Sequence, residues 1–355
     1  MKKRLTSIIF MALLAIFVIS NNCRTYASEN GNYSYVKEFD DGGKDYVYVL
    51  DGIENHCLVP PSSFDPLNAS DEELEKYCFQ PRPSDKSKLN EWKNLMCSYR
   101  NTPIPKLSVN NMKRTHEHSY DSTSTYASYS TRYSKIWSGY ESNLGTNPAN
   151  TYSQVQMDYI QPTISSVNGT CFNSYWVGLG GRNSGKLVQA GTATQNTNTH
   201  YAWYEYLSDN ATSVTMQKIE SLTINAGDSI HTYISFEKEN NKFTYYIANN
   251  TTGCSASGYV LLNASNYYDG TTAEWIVERC SNGVGPYHLG EYGTITISNC
   301  KCKFLNVANW YDLTSCSGLY KVIMSSNQSY SGRILSTPGS PYNANCFSCV
   351  WKGYY

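Results

Sequence analysis

Three short strings in the middle of the chain set acid or amide side chains among large apolar ones: KLVQAGT with Gln189, HYAWYEYL with Glu205, and TTAEWIVER with Glu274 and Glu278. Each alternates like a β-strand, whose successive side chains point to opposite faces. Alternation puts Tyr201, Trp203, Glu205 and Leu207 on one face, with Ala202, Tyr204 and Tyr206 on the other. Glu274, Ile276 and Glu278 share a face opposite Ala273, Trp275 and Val277, and Gln189 shares one with Leu187 and Gly191. A carboxylate in such a place can exchange a proton, and an amide can both donate and accept hydrogen bonds. Burying either without a partner is costly. These groups therefore imply hydrogen-bond partners or a functional cleft, unless that face of the sheet is solvated.

Other candidate motifs carry less. His116-Glu117-His118 lies in a polar tract, and alternate residues cannot close a metal site without distant ligands, so no metal is expected. Cys346-Phe-Ser-Cys349 and Cys300-Lys-Cys302 read as structural cysteines of an exported chain rather than as zinc or redox sites. The run from Gly180 to Lys186 comes close to a phosphate loop, but Leu187 follows where Ser or Thr is needed, and no strand-loop-helix context surrounds it. No Gly-x-Ser-x-Gly elbow is present. His200, His231 and His288 fall at strand edges or in loops, where histidines are usually solvated.

The elements that position these residues read as all-β. Among 355 residues, 32 are Tyr, and Ser, Thr, Asn and Gly fill the spaces between apolar positions. Net charge is -1, so no basic field attracts nucleic acid. Residues 1–27 combine a basic start, a short apolar run and small residues before Ala27, the pattern of a secretory signal peptide rather than a membrane anchor. A secreted, extracellular protein is expected, with its twelve cysteines tending to disulfides. Residues 28–125 are richer in charge and proline, with a helical stretch from Ser70 to Cys97 opened by a Ser70/Glu73 capping box. They read as a pro-region ending in an exposed linker over Ser119 to Ser134. Residues 126–305 carry short alternating runs with turns every eight to twelve positions, a sandwich of antiparallel sheets. Residues 306–355 read as a cysteine-containing extension.

Six strings in order, from Trp137-Ser-Gly-Tyr140 through Tyr175-Trp-Val-Gly178, Leu187-Val-Gln-Ala-Gly191, Ala202-Trp-Tyr-Glu205, Ala226-Gly-Asp228 to Ala273-Glu-Trp-Ile-Val-Glu278, resemble the glutamic peptidases, or eqolisins (family G1). The resemblance covers about residues 136–300 and implies a concanavalin A-like or jelly-roll sandwich with a concave cleft. It further implies an endopeptidase of polypeptide substrates that uses Gln189 and Glu274 as a dyad, with no cofactor or metal. Trp137, Trp176 and Trp203 match cleft positions, and Glu205 matches a carboxylate near the dyad. Two departures stand out: Gly180 and Tyr201 occupy positions where the fungal pattern has Asp, which puts strict acid dependence in question. A different class stays open beside this one, a lectin-like sandwich whose Tyr and Trp residues stack on sugars without catalysis. Oligomeric state and cleavage specificity are not legible.

Overall fold

The structure is a computed structural model that describes residues 24–27, 33–110, 121–124, 130–146, 148–183, 185–207, 216–263, 268, 270–281 and 285–354. Most of the expected signal peptide, the His116-Glu117-His118 motif and part of the expected linker lie outside the described residues. No helix among the described residues is long and apolar enough to cross a membrane.

Alternating apolar side chains build two layers of strands. The first runs, in spatial order, β5 (Leu107–Asn110), β13 (Met216–Ile219), β12 (Thr199–Leu207), β11 (Leu187–Gln195), β10 (Phe172–Gly180), β17 (Thr272–Arg279), β8 (Trp137–Asn143) and β20 (Leu319–Ser325). β7 (Ser130–Ser134) and β6 (Asp121–Ser124) follow at its rim. The second runs β1 (Arg24–Ala27), β2 (Tyr35–Glu38), β3 (Lys44–Leu50), β4 (Ile53–Val59), β16 (Cys254–Leu261), β15 (Lys242–Asn249), β14 (Ser229–Glu237), β9 (Tyr152–Ile160) and β18 (Thr294–Phe304), with β19 (Trp310–Asp312) beside β18. β22 (Phe347–Trp351) and β21 (Ile334–Pro338) lead from β18 to β20, so one ladder joins both layers. Pairing is antiparallel except between β7 and β20. This agrees with the all-β sandwich reading.

The core lies between the layers. Val177, Tyr175, Tyr204, Trp275 and Val277 from the first layer meet Val155, Met157, Ile234, Phe243 and Ile247 from the second, all buried. Each such side chain is worth about 1.5–3 kcal/mol when taken out of water. Trp275 Nε1 donates to the Gln156 carbonyl at 2.8 Å, which satisfies its polar atom across the layers.

Charge and capping shape the region before residue 111. The helical stretch resolves into α1 (Asp71–Lys76) and α2 (Leu89–Met96) around a proline-containing connection. The Ser70/Glu73 capping box forms as read, with Glu73 N donating to Ser70 Oγ at 3.1 Å and Ser70 N to Glu73 Oε2 at 2.7 Å. Both helices belong to a cluster with Tyr233, Tyr246 and Ala248 on the outer face of the second layer. β2, β3 and β4 widen that layer through β16, and β5 borders the first through β13.

Two local expectations change. The end of the polar tract is not exposed linker, because Ser130–Ser134 pair with β20 and Ser134 is buried. Its backbone groups find ladder partners that composition does not reveal. His231 is not at a strand edge but fully buried in β14, where its Nδ1 is 2.5 Å from Asp158 Oδ1. A neighbouring carboxylate makes such burial affordable.

Residues beyond 305 join the central core through Leu313, Leu319, Met324, Leu335 and Phe347. Cys302 Sγ and Cys316 Sγ, both buried, lie 3.0 Å apart as thiols. In an oxidising medium they are expected to close a bridge, stabilising by about 3 kcal/mol as for a loop of about 15 residues. Peptide mapping without reductant checks this, and recovery of both cysteines unlinked from oxidised protein refutes it.

Candidate active site

Pairing register gathers the polar residues that alternation had assigned to separate faces. Glu205 on β12 is opposite Gln189 on β11, Gln189 opposite Gly178 on β10, Gly178 opposite Glu274 on β17, and Glu274 opposite Glu141 on β8. Opposed residues share a face, so these side chains form one row across the first layer. Two residues along lies a second row of Trp203, Gly191, Trp176, Ile276 and Gly139. Two further on lies a third, with Tyr201, Ala193, Ser174, Glu278 and Trp137. All six site residues read from the sequence therefore stand on one face, the face turned away from the inter-layer core. That face has its own apolar cluster, which includes Trp137, Trp176, Trp203 and Leu187.

Gly178 leaves open space between Gln189 and Glu274 in the first row. Gln189 and Glu274 are two strands apart, roughly 9.5 Å between backbones, with only Gly178 between them in the row. A Cβ at position 178 would lie 3.1 Å from Glu274 Oε2 and 2.7 Å from the Trp176 ring, so the Glu274 carboxylate leans over this glycine. Any side chain there would fill the gap between amide and acid.

Hydrogen bonds orient side chains in all three rows. Gln189 Nε2 donates to Glu205 Oε2 at 2.6 Å, which fixes the amide and leaves its second N–H for another acceptor. Gln189 Oε1 makes no hydrogen bond among the described residues. Trp176 Nε1 donates to Glu278 Oε2 at 2.7 Å, and the Trp137 and Trp176 rings meet edge to face with centroids 5.2 Å apart. Gln189 is 1% exposed, and Glu205 and Glu274 are 0% exposed. Behind the row, burial pushes the Tyr152 phenol far up, and the nearby Cys302, Cys316 and Glu274 act in the same direction. Among the described residues no cluster of His, Cys, Asp and Glu could hold a metal ion.

The family whose description matches is peptidase A4, over residues 135–335, more than half of the chain. The chain belongs to the peptidase A4 family. Its members are the glutamic peptidases, which bears out the resemblance carried by the six strings and makes this chain a glutamic-type peptidase. Among solved structures, scytalido-glutamic peptidase with a transition state analog inhibitor is similar at a TM-score of 0.50 and 18% identity, over 61% of this chain and 98% of that one. That likeness speaks for the shared fold. SCP-B of the eqolisin family, in complex with the tripeptide Ala-Ile-His, is similar at 0.44 and 18%, over 61% and 98% of the two chains. Aspergilloglutamic peptidase from Aspergillus niger is similar at 0.41 and 20%, over 51% and 99%. A comparison with curated proteins finds no match.

For this peptidase A4 chain, the two departures have different local causes. Gly180 has φ +92°, and a Cβ there would lie 2.2 Å from the Lys186 carbonyl, so this turn between β10 and β11 excludes Asp. Tyr201 is buried at the far end of the third row, with Lys218 Nζ 4.7 Å from its ring centroid. Sequence reasoning missed Glu141, a carboxylate directly opposite Glu274, along with its partners Arg132, Asn143 and Arg182. Alternation from Trp137 through Gly139 to Glu141 carried the signal, since it places Glu141 on the Trp137 face.

Proposed function

We propose that the chain is a secreted endopeptidase that hydrolyses peptide bonds with Gln189 and Glu274. The observation that supports the reading is that this amide and this carboxylate stand in one row on one face, two strands apart, with only Gly178 between them and Glu274 leaning over it. Glu274 takes a proton from water as that water attacks the scissile carbonyl, then returns it to the leaving amine. Gln189 Oε1 positions the water, and the N–H not given to Glu205 donates to the oxyanion. Glu205 holds the amide in that orientation. Trp137, Trp176 and Trp203 supply an aromatic wall for an extended polypeptide.

The near-complete burial of both dyad side chains favours a latent form of the full chain, because a polypeptide reaches them only after some covering segment moves. In this reading residues 28–125 act as an inhibitory pro-region. Asn110 pairs with Met216 at one rim of the first layer, and Ser130 pairs with Tyr320 at the other. A cut between them releases the tie between the two rims.

The test is digestion of a denatured protein from acid to neutral pH, paired with N-terminal sequencing of the active form. Cleavage is expected to persist with a metal chelator and with a serine-reactive reagent, and the active form is expected to begin between residues 111 and 130. Loss of cleavage with either reagent sinks the dyad reading. Full activity of the uncut chain sinks the pro-region.

A further inference from the structure

Glu141 is a third carboxylate on the dyad row, and the reading above gives it no task. It is 0% exposed, directly opposite Glu274, and cross-strand neighbours have Cβ atoms about 4.5–5.5 Å apart. An ionised carboxylate persists in such a place only with charge and hydrogen bonds around it. Three groups converge on its Oε1: Arg132 Nη1 in an ion pair, Asn143 Nδ2 at 3.2 Å and Arg182 Nε at 3.9 Å. The Arg132 guanidinium lies on the Tyr320 ring, 3.3 Å from its centroid, which fixes the cation from the next strand. The Arg132 and Arg182 side chains are 11% and 17% exposed, so solvent screens them weakly.

We propose that Arg132 and Glu141, with Arg182, form a charge-balancing positioning unit that keeps Glu274 ionised in acid and so available as a base. The proposal rests on the dyad reading. Two neighbouring carboxylates favour protonation of one of them, and a cation beside them opposes it. Among the described residues, the other charged or titratable groups placed near Glu274 are Glu205 on β12, held by Gln189; Glu278 on its own strand, held by Trp176; Tyr320 on β20, beneath Arg132; and Tyr152 from the second layer. None of these is a cation. The two arginines therefore set the balance against Glu141.

The experiment measures kcat/KM against pH on a denatured protein for the processed wild type and for Arg132→Gln, Glu141→Gln, the double variant, Arg132→Lys and Glu274→Gln. Removing the cation is expected to move the acid limb up by about one pH unit, and removing the anion to move it down by a similar amount. The double variant returns the limb toward wild type, and Arg132→Lys leaves it nearly in place. Opposite signs cannot come from a common loosening of the strand. Limbs that move in the same direction, or not at all, overturn the proposal. If Arg132→Gln does not fold, the direction of the Glu141→Gln shift decides. Wild-type rates in Glu274→Gln refute the dyad itself, whereas an inactive Glu274→Gln with unmoved limbs refutes only the charge-balancing unit.

Discussion

Glu274→Gln is expected to lower kcat for peptide hydrolysis by about 10²–10⁴-fold, the range that a positioned general base contributes. The replacement is nearly isosteric, so the row from Glu205 to Glu141 keeps its spacing, and the loss reports chemistry rather than packing. An amide cannot accept the proton of the attacking water, whatever its position over Gly178. The loss should therefore hold at every pH where the wild type works, with KM little changed. A thermal melt run alongside separates this from unfolding. Rates equal to wild type across acid to neutral pH would remove Glu274 from the mechanism.

Gln189→Ala is expected to lower kcat by about 10²–10³-fold, roughly 2.7–4 kcal/mol of transition-state stabilisation, as for loss of one oxyanion donor. The charge on the carbonyl oxygen develops only at the transition state, so kcat suffers more than KM. The change also removes the donor to Glu205 and leaves a buried carboxylate oxygen without that bond. Some loss of stability is thus expected in the same variant. Comparing it with Glu205→Gln, which alters the bond but keeps Gln189, separates the two effects. An unchanged kcat in Gln189→Ala would mean that the oxyanion is held elsewhere.

Much of this site was legible in the sequence because strand parity is local. From residue order alone Glu205 falls with Trp203, and Glu274 with Glu278, since a strand alternates whatever it pairs with. Register is not local. That Gln189 is opposite Glu205, and Gly178 opposite Glu274, follows from hairpin geometry and distant pairing, which the six strings suggested only through resemblance. Glu141 went unread for the same reason: nothing near Trp137 indicates that β17 lies beside it. Arg132 was hidden by its setting, because a run of Ser, Thr and Tyr looks like linker until β20 supplies a strand to pair with. His231 shows the converse, a histidine whose burial rests on Asp158, a residue 73 positions away.

The order in which strands emerge during synthesis gives the late position of β20 a consequence. β8 bears Glu141 and has β17 on one side and β20 on the other. While the chain grows on the ribosome, residues 137–143 are made long before residues 319–325, so this edge waits for its β20 partner until residues 319–325 have left the exit tunnel. Completion of the sheet around Glu141 thus waits on translation, and a nascent fragment that ends before β20 lacks one neighbour of the strand that carries this residue.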